Sequence, residues 1–135
     1  MTTRRAHDLE EVRTWAATAA RAADEKKATS TLVLEVGPIL AITDAFVITS
    51  APNTRLVKTI ADEVEKQVKA GGGPGPLRVE GLDDARWVLL DYGDFVVHVF
   101  LDEVRDFYDL ERLWSDASRL DWESLVTELP AAAGE

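Results

Sequence analysis

A few residues stand where chemistry would be sought. Asp44 opens an apolar run, Asp91 and Asp94 bracket Tyr92-Gly93, and the two histidines are His7 and His98. Clustered carboxylates hold Mg²⁺ against phosphates, so a metal-dependent nucleotidyl or phosphoryl transferase is the first chemistry to test. Asp44 is followed by Ala45-Phe46, so the paired carboxylate is missing. Asp91 and Asp94 flank a turn, where carboxylates are usually solvated. Two histidines without any cysteine are too few for a zinc site, and a chain without cysteine forms no disulfide. No Ser, His and Asp join into a triad by motif. Gly71-Gly72-Gly73-Pro74-Gly75-Pro76 has no Lys-Ser/Thr after it, so it reads as a connector and not as a phosphate loop. The expectation is a protein that is not an enzyme and has no cofactor and no metal.

The residues around Tyr92-Gly93 point to binding instead. Trp87–Asp91 and Phe95–Phe100 read as two strands of a hairpin with Tyr92-Gly93 as the tight loop. In that register Asp91 faces Asp94, Leu89 faces Val96 and Trp87 faces His98. Side chains alternate faces along a strand. One face then carries Trp87, Leu89, Asp91, Asp94, Val96, His98 and Phe100; the other carries Val88, Leu90, Phe95, Val97 and Val99. The second set is wholly apolar and belongs to the core. The first mixes an indole, an imidazole and carboxylates, the mixture of an interaction surface. A satisfied Trp87–His98 pair covered by a helix is the competing reading. A slip of one residue would exchange the faces.

The elements that must position this hairpin follow from periodicity. Residues 8–27 form a helix capped by Asp8, with Glu11 in capping-box position and Leu9, Val12, Ala16, Ala19 and Ala23 as its stripe, Trp15 beside it. Residues 31–36 alternate as a strand that Gly37-Pro38 ends. Residues 44–50 are a strand apolar enough to be buried on both faces. Pro52 and Asn53 start a helix with Val57, Ile60, Ala61, Val64 and Val68 inward, and with Asp62–Lys66 and Glu65–Lys69 as i,i+4 pairs outward. Leu77 to Glu80 is a short strand. Asp102 caps a helical stretch to about Trp114, irregular near Asp109. Trp122, Leu125, Val126 and Leu129 suit a short amphipathic helix before Pro130, and 131–135 are expected to be disordered. The order αββαβββα, with a possible last helix, predicts a single α/β domain: one mixed five-stranded sheet flanked by helices.

The chain has 135 residues, 46% hydrophobic and 30% charged, with a formal net charge of −10. Acidity opposes binding to nucleic-acid backbone and suits a basic protein partner. No run approaches the ~20 apolar residues that span a bilayer. Arg4 and Arg5 are followed by charged residues rather than an apolar run, so no signal peptide is expected and a cytoplasmic location is.

Several strings together resemble a known family. Asp44-Ala45-Phe46-Val47-Ile48, then Asn53-Thr54-Arg55 and the Ile60 to Val64 helix, resemble the first half of the ribosomal silencing factor (Iojap-like) pattern. Glu80-Gly81, Trp87 to Asp94 and Val97-His98-Val99-Phe100 are similar to its most specific stretch. Arg105, Tyr108, Leu110-Glu111 and Leu113-Trp114 match its closing motif. By this ordered set, covering about residues 8 to 117, the chain is identified as a member of that family. The resemblance implies a nucleotidyltransferase-like fold without transferase activity. It implies docking on the large ribosomal subunit through its fourteenth protein, which blocks subunit association and represses translation under nutrient limitation such as stationary phase. It also implies a homodimer, with contact to ribosomal RNA left open and no role for DNA or membrane. The alternative is a metal-dependent nucleotidyltransferase-like enzyme. Active members of that fold carry a Gly-Ser turn and an Asp-x-Asp, whereas Gly37 here precedes Pro38 and Asp44 stands alone. Residues 1–117 then form the silencing-factor domain, and 118–135 a partly disordered C-terminal extension, expected to be dispensable for the fold. The expected partner-binding residues are Trp87, Leu89, Asp91, Tyr92, Asp94, His98, Phe100 and Tyr108. The segment 37–43 is more apolar than is usual in the family.

Overall fold

A computed structural model describes residues 6–129. Helix α1 spans Leu9–Glu25, and the Asp8 side chain accepts from the Glu11 amide at 2.9 Å, the cap that the sequence predicts. Its alanines do more than line one stripe. Ala16, Ala17, Ala19, Ala20, Ala22 and Ala23 are all fully buried, because α1 meets the sheet, a second helix and the C-terminal segment at once. Strand β1 (Thr31–Glu35) leads into a four-residue helix, α2 (Gly37–Leu40), and then into β2 (Ala45–Ala51), buried along its whole length. Helix α3 (Thr54–Ala70) starts at Asn53, whose side chain accepts from the Leu56 amide at 2.8 Å. Its inward stripe is the predicted one, Val57, Ile60, Ala61, Val64 and Val68.

Strands β3 (Arg78–Glu80), β4 (Trp87–Asp91) and β5 (Phe95–Leu101) follow. The stretch predicted as one irregular helix is two, α4 (Asp102–Tyr108) and α5 (Leu110–Leu113). Asp109 separates them in the left-handed conformation at φ 49°. A two-residue strand, β6 (Ser118–Arg119), and α6 (Trp122–Val126) are the last elements among the described residues.

Among the described residues the sheet has six strands, not five, in the order β3-β4-β5-β2-β1-β6. The sixth escapes sequence reading because two residues carry no periodicity. All neighbours are antiparallel except the central β2 and β5. One face packs on α1 and α3 through Val33, Val47, Val88, Leu90, Val97 and Val99. The other face gathers Leu34, Phe46, Ile48, Phe100 and Val104, with Trp87, Leu110 and Trp114 half-buried against them.

Residues 118–129 are built into this domain rather than appended to it. Ser118 and Arg119 pair with Glu35 and Leu34, and the Leu120 amide donates to the Val33 carbonyl at 2.9 Å. Trp122 is only 9% exposed, packs with the α1 core and donates from its indole to the Thr31 carbonyl at 3.3 Å. The expectation of disorder for 131–135 lies outside the described residues.

Candidate functional site

The hairpin divides its faces as predicted, though its register differs by two. Asp91 pairs with Val96, Leu89 with His98 and Trp87 with Phe100. The Tyr92 amide donates to the Phe95 carbonyl at 2.9 Å, so the central turn residues are Gly93 and Asp94 rather than Tyr92 and Gly93. Gly93 sits at φ 85°, a conformation that glycine adopts without cost and that suits the first position of a type II′ turn. A shift of two leaves the strand side chains on their predicted faces, because strand periodicity is two, but it moves Asp94 off the outer face and into the turn.

Trp87 and His98 are consequently diagonal neighbours. The indole Nε1 donates to His98 Nδ1 at 3.1 Å. An indole nitrogen only donates, so Nδ1 holds a lone pair and the imidazole hydrogen resides on Nε2. Burial pushes the His98 pKa down to about 4, which keeps the ring neutral at neutral pH. Phe46 stands edge-on to the ring at 4.8 Å between centroids. Trp87 itself lies between Phe100 and Tyr108, each with its centroid at 4.8 Å. One indole edge is thus held by the core while the residue stays half-exposed.

The eight expected contact residues separate into two groups. Trp87, Leu89 and Asp91 are half-buried and Tyr108 is 50% exposed, so these four reach the surface together. Tyr92, Asp94, His98 and Phe100 are each at most 6% exposed and do not. Phe100 is covered by the elements that follow it, and His98 supports Trp87 from beneath. Tyr92 faces the helical layer and stacks on Phe95 at 4.4 Å, with burial driving its hydroxyl pKa far upward. Asp94, in the turn, points back toward the start of α1. Its carboxylate accepts from the Ala6 and His7 amides at 3.2 Å and lies 3.1 Å from His7 Nδ1. Asp91 keeps its place on the face but is not free: it accepts from the Gly93 amide at 2.9 Å and from Arg78 at 2.9 Å.

Sequence reading missed the residues that extend this surface. Ile42, Leu77 and Phe107 are 71%, 73% and 79% exposed. Ile42 and Leu77 border a groove of about 350 Å³ whose floor includes Phe46, Leu89 and Val96 and whose edge carries Arg78 and Asp91. Phe107 and Tyr108 border a second groove on the other side of Trp87. The result is an apolar strip from Ile42 and Leu77, across Leu89 and Trp87, to Tyr108 and Phe107. The apolar character of 37–43 noted in the sequence is the only signal that pointed to one end of it.

Two further residues set the position of the strip. Arg105, 7% exposed, donates to the Ser30 carbonyl (2.7 Å) and Ser50 Oγ (2.9 Å) and pairs with Glu111 at 3.0 Å, which anchors α4 and α5 to the sheet. Gly81 takes φ 89°, and a Cβ there would lie 2.1 Å from the Trp87 carbonyl oxygen. Only glycine lets the chain pass over Trp87 at this point.

The surroundings of Asp44 are different. The groove beside it also involves Arg13, Glu35, Gly37 and Ser118. Arg13 engages Glu35 at 2.8 Å, and Asp44 is 5% exposed. An ideal Cβ on Gly37 would come within 2.8 Å of Asp44 Oδ1. Among the described residues no group of three or more His, Asp or Glu is placed to hold a metal ion.

A family model described as "Ribosomal silencing factor during starvation" matches residues 9–134. The ribosomal silencing factor RsfS of Bacillus subtilis is 42% identical over 103 residues, 76% of this chain and 86% of that protein. The mouse protein named "Mitochondrial assembly of ribosomal large subunit protein 1" is 33% identical over 94 residues, 67% of this chain and 41% of that longer one. A crystal structure of a Chromobacterium violaceum protein superposes with a TM-score of 0.72 at 27% identity, covering 96% of this chain and 95% of that one.

Proposed function

The chain belongs to the ribosomal silencing factor family, and we propose that it docks on the large ribosomal subunit, through the fourteenth protein of that subunit, and blocks association with the small subunit. Translation falls as a result, chiefly under nutrient limitation. The observation that carries the reading is the apolar strip centred on Trp87, with Tyr108 and Phe107 at one end and Leu77 and Ile42 at the other. Exposed contiguous apolar surface of this kind marks an interaction site. The net charge of −10 supports a basic partner, and ribosomal proteins are mostly basic. The name of the mouse relative refers to the large subunit as well. The protein acts in the cytoplasm, as a homodimer when free, without catalysis or cofactor. No described helix is long and apolar enough to cross a membrane.

The test is co-sedimentation of the tagged protein with separated ribosomal subunits, followed by light scattering of subunit joining. Binding to the large subunit alone, with joining suppressed in proportion to occupancy, is the expected result. Binding to the small subunit, or joining unaffected at saturation, refutes the reading. Raising the salt concentration should weaken binding, since rim charges act mainly on encounter.

A further inference from the structure

A groove of about 550 Å³ lies between the loop joining β3 to β4 and helix α4. Its walls include Asp84, Arg86, Trp87, Glu103, Phe107 and Tyr108. Phe107 and Tyr108 stand at 88° to each other with centroids 5.0 Å apart, and Tyr108 leans on Trp87. The groove thus presents aromatic rings in two orientations. Phe107, in the last turn of α4, is 79% exposed, and the left-handed backbone of Asp109 ends the helix just beyond it.

The charges at the mouth restrict what can enter. Asp84 and Glu103 are carboxylates with no buried role, and the one cation is Arg86. Arg86 approaches Glu103 at 3.9 Å, the outer limit of an ion pair, with side chains 56% and 75% exposed. Such a pair is weak and leaves Glu103 available. An anion would be repelled by the carboxylates, and a neutral apolar group would leave them unused. Aromatic faces beside carboxylates favour a cation whose stem is apolar.

We propose that this groove receives an arginine or lysine side chain of the basic protein partner. The stem lies along Phe107 and Tyr108, and the cationic head reaches Glu103 and Asp84. An arginine fits best, because a planar guanidinium can stack on a ring while donating to a carboxylate. The proposal rests on the docking reading for the identity of the partner and names the chemistry of one contact within it.

The test uses the full chain and two probes. Dissociation constants for purified large subunits are measured for the wild type, Phe107→Ala, Glu103→Lys and Asp84→Lys. Phe107→Ala should weaken binding about tenfold. Each lysine variant should weaken it further, since a like charge then meets the incoming cation. All three should melt at the wild-type temperature, because these side chains are exposed. Separately, a short arginine-rich peptide is titrated into the protein while the Phe107 and Tyr108 ring resonances are followed, with a glutamine-substituted peptide as control. Shifts with the arginine peptide alone, lost in Glu103→Lys, support the groove. Wild-type affinity in all three variants overturns the proposal and leaves the docking reading standing. Failure of the wild type to bind large subunits refutes the docking reading, and the peptide result then decides the groove on its own. Variants that change self-association instead of subunit binding assign the groove to a second copy of this chain and also overturn the proposal.

Discussion

The neutral, buried imidazole of His98 makes stability depend on pH in a defined window. In the unfolded chain its pKa is the ordinary 6.5, and in the fold it is about 4. Between these values the unfolded state binds the proton and the folded state does not, so stability rises with pH there and is lost as pH falls. Between pH 7 and pH 5 the difference amounts to about 2 kcal/mol, approaching roughly 3 kcal/mol at and below pH 4. Protonation costs the fold because the charged ring would be buried; a hydrogen placed on Nδ1 would also face the Trp87 indole, another donor. The assay is urea unfolding of the wild type and His98→Leu at pH 7 and pH 5. Other titrating groups contribute to both proteins, so the difference isolates His98. The wild type should lose about 2 kcal/mol more than the variant over this interval. An NMR titration should find the His98 ring unprotonated at pH 5. An equal loss in both proteins, or a ring that titrates near its ordinary value, would refute the reasoning.

Three other outcomes are expected. Gly81→Ala should destabilise by about 1–3 kcal/mol and weaken large-subunit binding together, since the new Cβ collides with the Trp87 carbonyl and displaces the centre of the strip; chemical denaturation and co-sedimentation read both. Arg105→Met should cost about 3–5 kcal/mol by thermal or urea unfolding, because it leaves the Ser30 carbonyl, Ser50 and Glu111 without their common partner. Truncation after Ala117 should uncover α1 and the edge of β1, and Trp122→Ala alone should cost about 3–5 kcal/mol; a truncated chain with unchanged circular dichroism and melting temperature would contradict the packing of α6.

The division of the hairpin into a core face and an outer face is legible in the sequence because it depends only on a period of two. It survives even a register displaced by two residues. The depth of each outer residue is not legible, because cover comes from distant chain. His98 and Phe100 are buried among side chains that include Phe46, Trp87 and Val104, and Asp94 is engaged by residues 6 and 7. Phe107 follows the buried Val104 at helical spacing yet is 79% exposed, so periodicity alone does not reveal its depth. The attachment of the C-terminal segment leaves a trace in α1. Ala17, Ala20 and Ala22 lie beyond the predicted stripe, and a helix apolar on more than one side must be covered on more than one side.

The parallel pairing of β2 with β5 gives the apolar strip an uneven mechanical character. Ala45 meets Phe95 at one end of this pairing and Ala51 meets Leu101 at the other, so β5 lies inside the sheet with partners on both sides. Its amides are released only when the centre of the domain opens. Strand β3, by contrast, is a three-residue edge with every residue exposed. Amide hydrogen exchange should therefore be slowest in β5 beneath Trp87 and fastest near Leu77 and Arg78. A partner would meet a surface that is rigid in the middle, where the indole is held, and compliant at the end nearest β3, where the groove beside Ile42 can adjust its width.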